Sequence, residues 1–125
     1  LQCRRDQLLC DLFLASVNAV TETGEMVSRD GVGNRIAATV FGPRKVMLLV
    51  GVHKIVPDLH AAFRRVREIA PRRAHSLGLN LPCTEEGVCV DCEEGERICR
   101  ATLVLHRRPS LTDITVILIG ETLGY

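Results

Sequence analysis

A chain of 125 residues with a net charge of +1, 46% apolar and only 3% aromatic residues, is one domain or most of one, long enough to bury about two thirds of its unfolded surface. The balanced charge and the shortage of aromatic side chains for base stacking argue against a nucleic-acid binder. No run approaches the ~20 apolar residues of a membrane span, and the opening LQCRRD is no signal peptide, so the chain reads as cytoplasmic.

With so few rings the core must be built from Leu, Val, Ile and Ala, which favours an α/β protein with aliphatic strands. Residues 1–10 are mixed, with the end of a helix over Asp6–Cys10. The chain starts at Leu1 and in mid-element, so an N-terminal portion is expected to be absent. Asp11–Val17 reads as a buried strand, Thr21–Glu25 as a polar turn and Met26–Ser28 as a short second strand. The glycine-flanked loop Arg29–Gly33 follows. A helix then opens with Asn34 as its cap, presents Ile36, Ala37, Val40 and Phe41 on one face, and stops at Gly42-Pro43.

Lys45–Val50 is a further buried strand, ending at Gly51, and His53 and Lys54 follow it. The next helix has Pro57 near its first turn and a core stripe of Leu59, Ala62, Phe63, Val66, Ile69 and Ala70; its Arg64, Arg65 and Arg67 read as a solvated face. From Pro71 to Cys99 the periodicity vanishes. Ala101–His106 and Thr115–Ile119 are two last strands, separated by the turn Arg107–Ser110.

A strand, a glycine-rich loop and a helix start, in that order, can expose backbone amides to a small anion. This makes Asn18, Asp30, Gly31, Gly33, Asn34 and Arg35 the candidate ligand-binding residues, with Arg35 able to hold a carboxylate or phosphate in a bidentate way. The long connector carries the second signal. Cys83, Cys89, Cys92 and Cys99 follow the spacing C-x5-C-x2-C-x6-C. Four thiols in an otherwise structureless loop suit a tetrahedral sulfur site: an iron–sulfur cluster, or zinc as the alternative. The spacing does not decide between them. Cys3 and Cys10 have no partner at ligand spacing and read as ordinary thiols.

Asn18-Ala19-Val20-Thr21, Asp30-Gly31-Val32-Gly33-Asn34-Arg35, Phe41-Gly42-Pro43-Arg44-Lys45-Val46, Gly51-Val52-His53-Lys54-Ile55-Val56, Pro82-Cys83-Thr84, Asp91-Cys92 and Gly120-Glu121-Thr122-Leu123-Gly124-Tyr125 together resemble the LUD-domain, or lactate utilization protein, family, in its branch with a cysteine-bearing loop. The resemblance implies an α/β fold of the NagB/RpiA/CoA-transferase-like type, with a mainly parallel sheet flanked by helices. It makes residues 1–125 one domain, the C-terminal portion of the family's usual one, with the cysteine-rich loop at about 71–100. It also implies a place in the oxidation of lactate to pyruvate: an accessory or redox protein that binds a small anionic metabolite and works beside iron–sulfur partner proteins, with no nucleic acid or membrane involved and self-association left open. Sugar-phosphate isomerases of related fold have acidic residues about where this chain has Asn18 and Thr21, and an amide is no general base. Isomerase chemistry is therefore expected to be lost, with Asp30 and Glu22 as the remaining acids. The rival readings are a sugar-phosphate or CoA-ester enzyme and a noncatalytic zinc-stabilised sensor or scaffold.

Overall fold

The computed structural model describes residues 2–125; Leu1, the first residue of the mixed N-terminal stretch, lies outside them. Helix α1 (Gln2–Asp6) runs into a 3-10 turn (Gln7–Leu9), so helix occupies more of this stretch than its sequence suggests. Strands β1 (Leu12–Ala15), β2 (Ala19–Thr21) and β3 (Met26–Asp30) come next, then α2 (Asn34–Val40), β4 (Lys45–Gly51), a 3-10 turn (Val52–Lys54) and β5 (Ile55–Val56). The long helix α3 (Leu59–Ser76), the short α4 (Pro82–Glu86), β6 (Ala101–Leu105) and β7 (Asp113–Ile119) complete the chain.

The strands form two sheets. One is wholly parallel, in the order β1-β4-β7; the other is mixed, in the order β5-β2-β3-β6. In the parallel sheet Leu12 pairs with Lys45 and Lys45 with Asp113, so β4 is central. In the mixed sheet β3 is central and runs antiparallel to both β2 and β6. The main core lies between the sheets: Val46, Leu48 and Val50 from β4 pack with Val17, Met26 and Leu105. Burying aliphatic side chains of this size contributes about 1.5–3 kcal/mol each. A second cluster, Ala19, Val27, Ala62 and Val66, seats α3 on the other side of the mixed sheet.

Several expectations need correction. The run Asp11–Val17 is not a buried strand: β1 is four residues long, its residues alternate between exposed and half-buried, and Leu14 is 57% exposed. Strand β2 begins inside the stretch read through to a turn; three residues are too few to show a two-residue period. On α2 the buried residues are Ala38 and Thr39, while Phe41 lies past the helix end and is exposed. The cap of α2 is Gly33, at φ 88°, and Asn34 is the first helical residue. Helix α3 is capped by Asp58, whose Oδ1 accepts from the Ala61 amide at 2.8 Å. It continues through Pro71 to Ser76, and its buried face is Ala61, Ala62, Val66, Ala70, Pro71 and Ala74, with Phe63 largely exposed. Pro71 is buried and offers no N–H to the turn before it; packing of the small residues around it keeps the helix going. The connector therefore starts at Leu77. It holds one short helix, α4, whose Thr84 Oγ1 accepts from the Leu81 amide at 3.0 Å and donates to the Leu81 carbonyl at 2.7 Å.

Candidate functional site

The sheets, α3 and the connector converge on a cavity of about 550 Å³. Ser16, Val17 and Asn18 enter from the chain after β1, and Arg29 to Val32, Asn34 and Arg35 from the end of β3 and the start of α2. Lys54 comes from the turn after β4; Val66, Ile69, Ala70 and Arg73 from α3. Ile98 and Cys99, at the end of the cysteine connector, and Gly124 with Tyr125 close the rim. Five of the six residues proposed from sequence line this space together; Gly33 caps α2 beside it.

Their roles differ from a simple amide cradle. Asp30 takes the amides at the helix start: Oδ1 accepts from Gly31 N at 3.0 Å, and Oδ2 from Arg35 N at 3.0 Å and Ile36 N at 3.3 Å. The helix mouth is thus capped by a carboxylate of the chain itself. Asn18 Oδ1 accepts from Arg29 N at 2.8 Å and from the Arg35 guanidinium at 3.4 Å. Arg35 also donates to the carbonyls of Ser16 at 3.3 Å and Arg29 at 2.6 Å. The Asn34 side-chain amide donates to Gln7 Oε1 at 3.4 Å, which ties the loop to the N-terminal turn. Gly31 is needed for space: a Cβ there would stand 3.0 Å from the Ile98 carbonyl oxygen. Of the two acids left for chemistry, Asp30 is committed to amides, and Glu22 sits on the exposed turn after β2.

The charge on the cavity comes from side chains. Lys54 is 3% exposed and donates to Ser16 Oγ at 3.0 Å and the Val17 carbonyl at 3.2 Å, both neutral oxygens. Burial pushes its ammonium below the ordinary lysine value, and the guanidiniums of Arg65 and Arg35 push it further the same way. Arg35 is lowered by burial first; Asp30 opposes this and Arg73 adds to it. Arg65 leaves the solvated face expected of it and donates Nε to the Asn18 carbonyl at 3.0 Å. Lys54 was legible as a residue after a strand end; Arg29, Arg65 and Arg73 were not. For the two on α3 the only signal is helical spacing, which puts Arg65, Ile69 and Arg73 along one side of the helix. His53, the other residue read after β4, has both ring nitrogens buried without a hydrogen-bond partner. Its ring packs against Gly51, where a Cβ would lie 2.7 Å from Nδ1.

The four connector cysteines are free thiols. Cys83 is buried, and burial raises its pKa, with Cys92, Cys99 and Cys89 each raising it further. Burial also raises Cys99, opposed first by Arg29. By chemistry, four thiols are the donor type that a soft, thiolate-binding ion takes. Among the described residues, however, no group of three or more His, Cys, Asp or Glu side chains is placed to hold a metal. Arginines shape the connector instead. Arg97 donates to the Cys99 and Cys92 carbonyls at 2.8 and 2.6 Å and pairs with Asp91 at 2.7 Å. Arg67 of α3 reaches the Cys89 carbonyl at 3.3 Å.

The family model of the LUD domain matches residues 1–119. The chain belongs to the LUD-domain family. That membership relates it to lactate utilization, and the parallel sheet with its helices agrees with the NagB/RpiA-like α/β fold of LUD domains. No curated protein and no solved structure matches this LUD domain. No helix among its described residues is long and apolar enough to cross a membrane.

Proposed function

We propose that this LUD domain is an accessory or redox protein of lactate or organic-acid utilization, acting in the cytoplasm, which holds a small anionic metabolite in the cavity and a metal centre on the cysteine connector. The observation that carries the first half is the uncompensated positive charge of Lys54, buried on the wall of a cavity of about 550 Å³. An unpaired buried cation is expensive, and an anionic ligand relieves that penalty. The second half rests on four free thiols on one connector, at the spacing C-x5-C-x2-C-x6-C. Cys83, Cys89, Cys92 and Cys99 are the residues that would hold the centre; an iron–sulfur cluster supplies one-electron transfer, and zinc in its place supplies structure only. Cys99 belongs to both halves, because it also lines the cavity. The electron partners are iron–sulfur proteins of the same oxidation.

Anaerobic purification followed by metal analysis and a visible spectrum tests the metal. Iron with absorbance near ~400 nm that bleaches on reduction supports the redox reading; stoichiometric zinc in a colourless protein replaces it with a structural one. A preparation that binds neither ion, and whose quadruple Cys→Ser variant melts and behaves like the parent, removes the metal centre. Calorimetry with small organic anions tests the cavity separately.

A further inference from the structure

The cavity's cations have fewer negative partners than their number requires. Arg4, Arg29, Arg35, Lys54 and Arg73 line it, and Asp30 is the one carboxylate side chain on the same wall. Asp30 faces three backbone amides and lends its charge to Arg35. The ion pairs among the described residues, Arg97 with Asp91 and Arg108 with Asp113, both lie off the cavity wall. Lys54 has three donors; two go to neutral oxygens, which leaves one for the cavity. Arg73 lies on the exposed side of α3, its guanidinium 5.8 Å from the centre of the Tyr125 ring at the rim. Size points the same way. At about 550 Å³ the space falls in the ~300–1,000 Å³ range that takes drug-sized ligands, and a three-carbon acid would leave most of it to water. One side of the space is apolar, formed by Val66, Ile69 and Ala70, so the body of the ligand has a carbon surface to rest on.

We infer that the cavity selects a dianion, a metabolite whose head carries two negative charges as a phosphate monoester or as paired carboxylates, seated between Lys54 and Arg35 with Arg73 at its outer edge. Lactate itself, with one charge and three carbons, is a poor ligand. This rests on the cavity being an anion site, as proposed above, and narrows what it takes. Lys54 is the residue that sets the preference, because it is buried and its hydrogen bonds go to neutral oxygens alone.

Titration calorimetry on the whole chain at fixed ionic strength decides it, with lactate, malate and glycerol 3-phosphate as probes. At least one of the two dianions should bind about tenfold or more tightly than lactate, and the tighter of the two identifies the head group. Lys54→Met should remove that preference. Arg73→Gln, at an exposed position, should weaken the preferred dianion by about threefold with an unchanged circular dichroism spectrum. Lactate binding as tightly as both dianions, or a folded Lys54→Met protein that keeps the preference, overturns the dianion assignment while the anion site stands. Binding of none of the three overturns both. Should Lys54→Met fail to fold, the comparison of probes on the parent protein and on Arg73→Gln still decides.

Discussion

The cavity wall and the cysteine connector meet at one seam, and they are held in opposite ways. On the wall, polar groups are satisfied across long stretches of sequence: Asn18 to Arg29 and Arg35, Lys54 to Ser16 and Val17, Arg65 to Asn18. In the connector, apart from Arg67 on the Cys89 carbonyl and the seam to Asp30, the bonds are local. Arg97 clasps carbonyls two and five residues away, and Arg100 holds the carbonyls of Arg97 and Gly95. Bonds between distant segments open only when the sheets part, whereas local clasps on an exposed loop open on their own. The comparison separates a cavity wall fixed by the fold from a cysteine loop that can rearrange without it. The seam is tight, since the Arg100 amide donates to the Asp30 carbonyl at 3.1 Å and Gly31 packs on Ile98.

The contrast can be broken by substitution. Gly51→Ala should have the largest effect, because its Cβ would stand 2.7 Å from His53 Nδ1 and 2.8 Å from the Glu121 carbonyl oxygen. Overpacking of this kind costs about 1–3 kcal/mol, and denaturant unfolding should place it near the upper end. Asp30→Ala should follow, at about 1–2 kcal/mol for a lost cap, with anion affinity changed because the freed amides face the cavity. Equal stability of Asp30→Ala and the parent would mean that the wall is no more rigid than the connector.

Set against the parent, Lys54→Met should compare best at neutral pH, where the parent carries the burial penalty of its ammonium. The sign follows from the lowered pKa: the folded state resists protonation, so the penalty is fully present below the folded-state value. It disappears as pH rises through the interval up to the ordinary 10.5. The advantage of Lys54→Met should therefore shrink in alkaline unfolding curves, and a constant gap would contradict the burial argument. Arg97→Gln should be smallest, with global stability changed by less than about 1 kcal/mol. Hydrogen exchange should quicken in residues 88–100 only; faster exchange in β3 as well would show that the two regions open together.

The elements that announce themselves in the sequence are those with enough length to show a period: β4, α3 and the late strands. The Asp30–Arg35 segment stands out in the sequence because glycines flank a charged loop, and all of it but Gly33 lines the cavity. What each residue does there was not legible. Asp30 caps a helix that starts four residues on, a contact visible only once the loop has turned back. Lys54 gains its character from Ser16 and Val17, distant in sequence, and no local pattern encodes a missing counterion. The run of α3 through Pro71 was hidden for a similar reason, since alanine packing on a neighbouring element decides it. Cysteine spacing named four thiols and could not say how far apart an arginine-clasped loop would hold them.

The pairing of β3 with β6 has a kinetic corollary. Asp30 meets Ala101 across the antiparallel register, and Met26 meets Leu105, so the seam joins strands far apart in sequence. Closing so long a loop is slow compared with forming α3. On a ribosome, the pocket has no complete rim until Gly124 and Tyr125 have emerged, and the sulfur loop is tethered at one end only until β6 has joined β3.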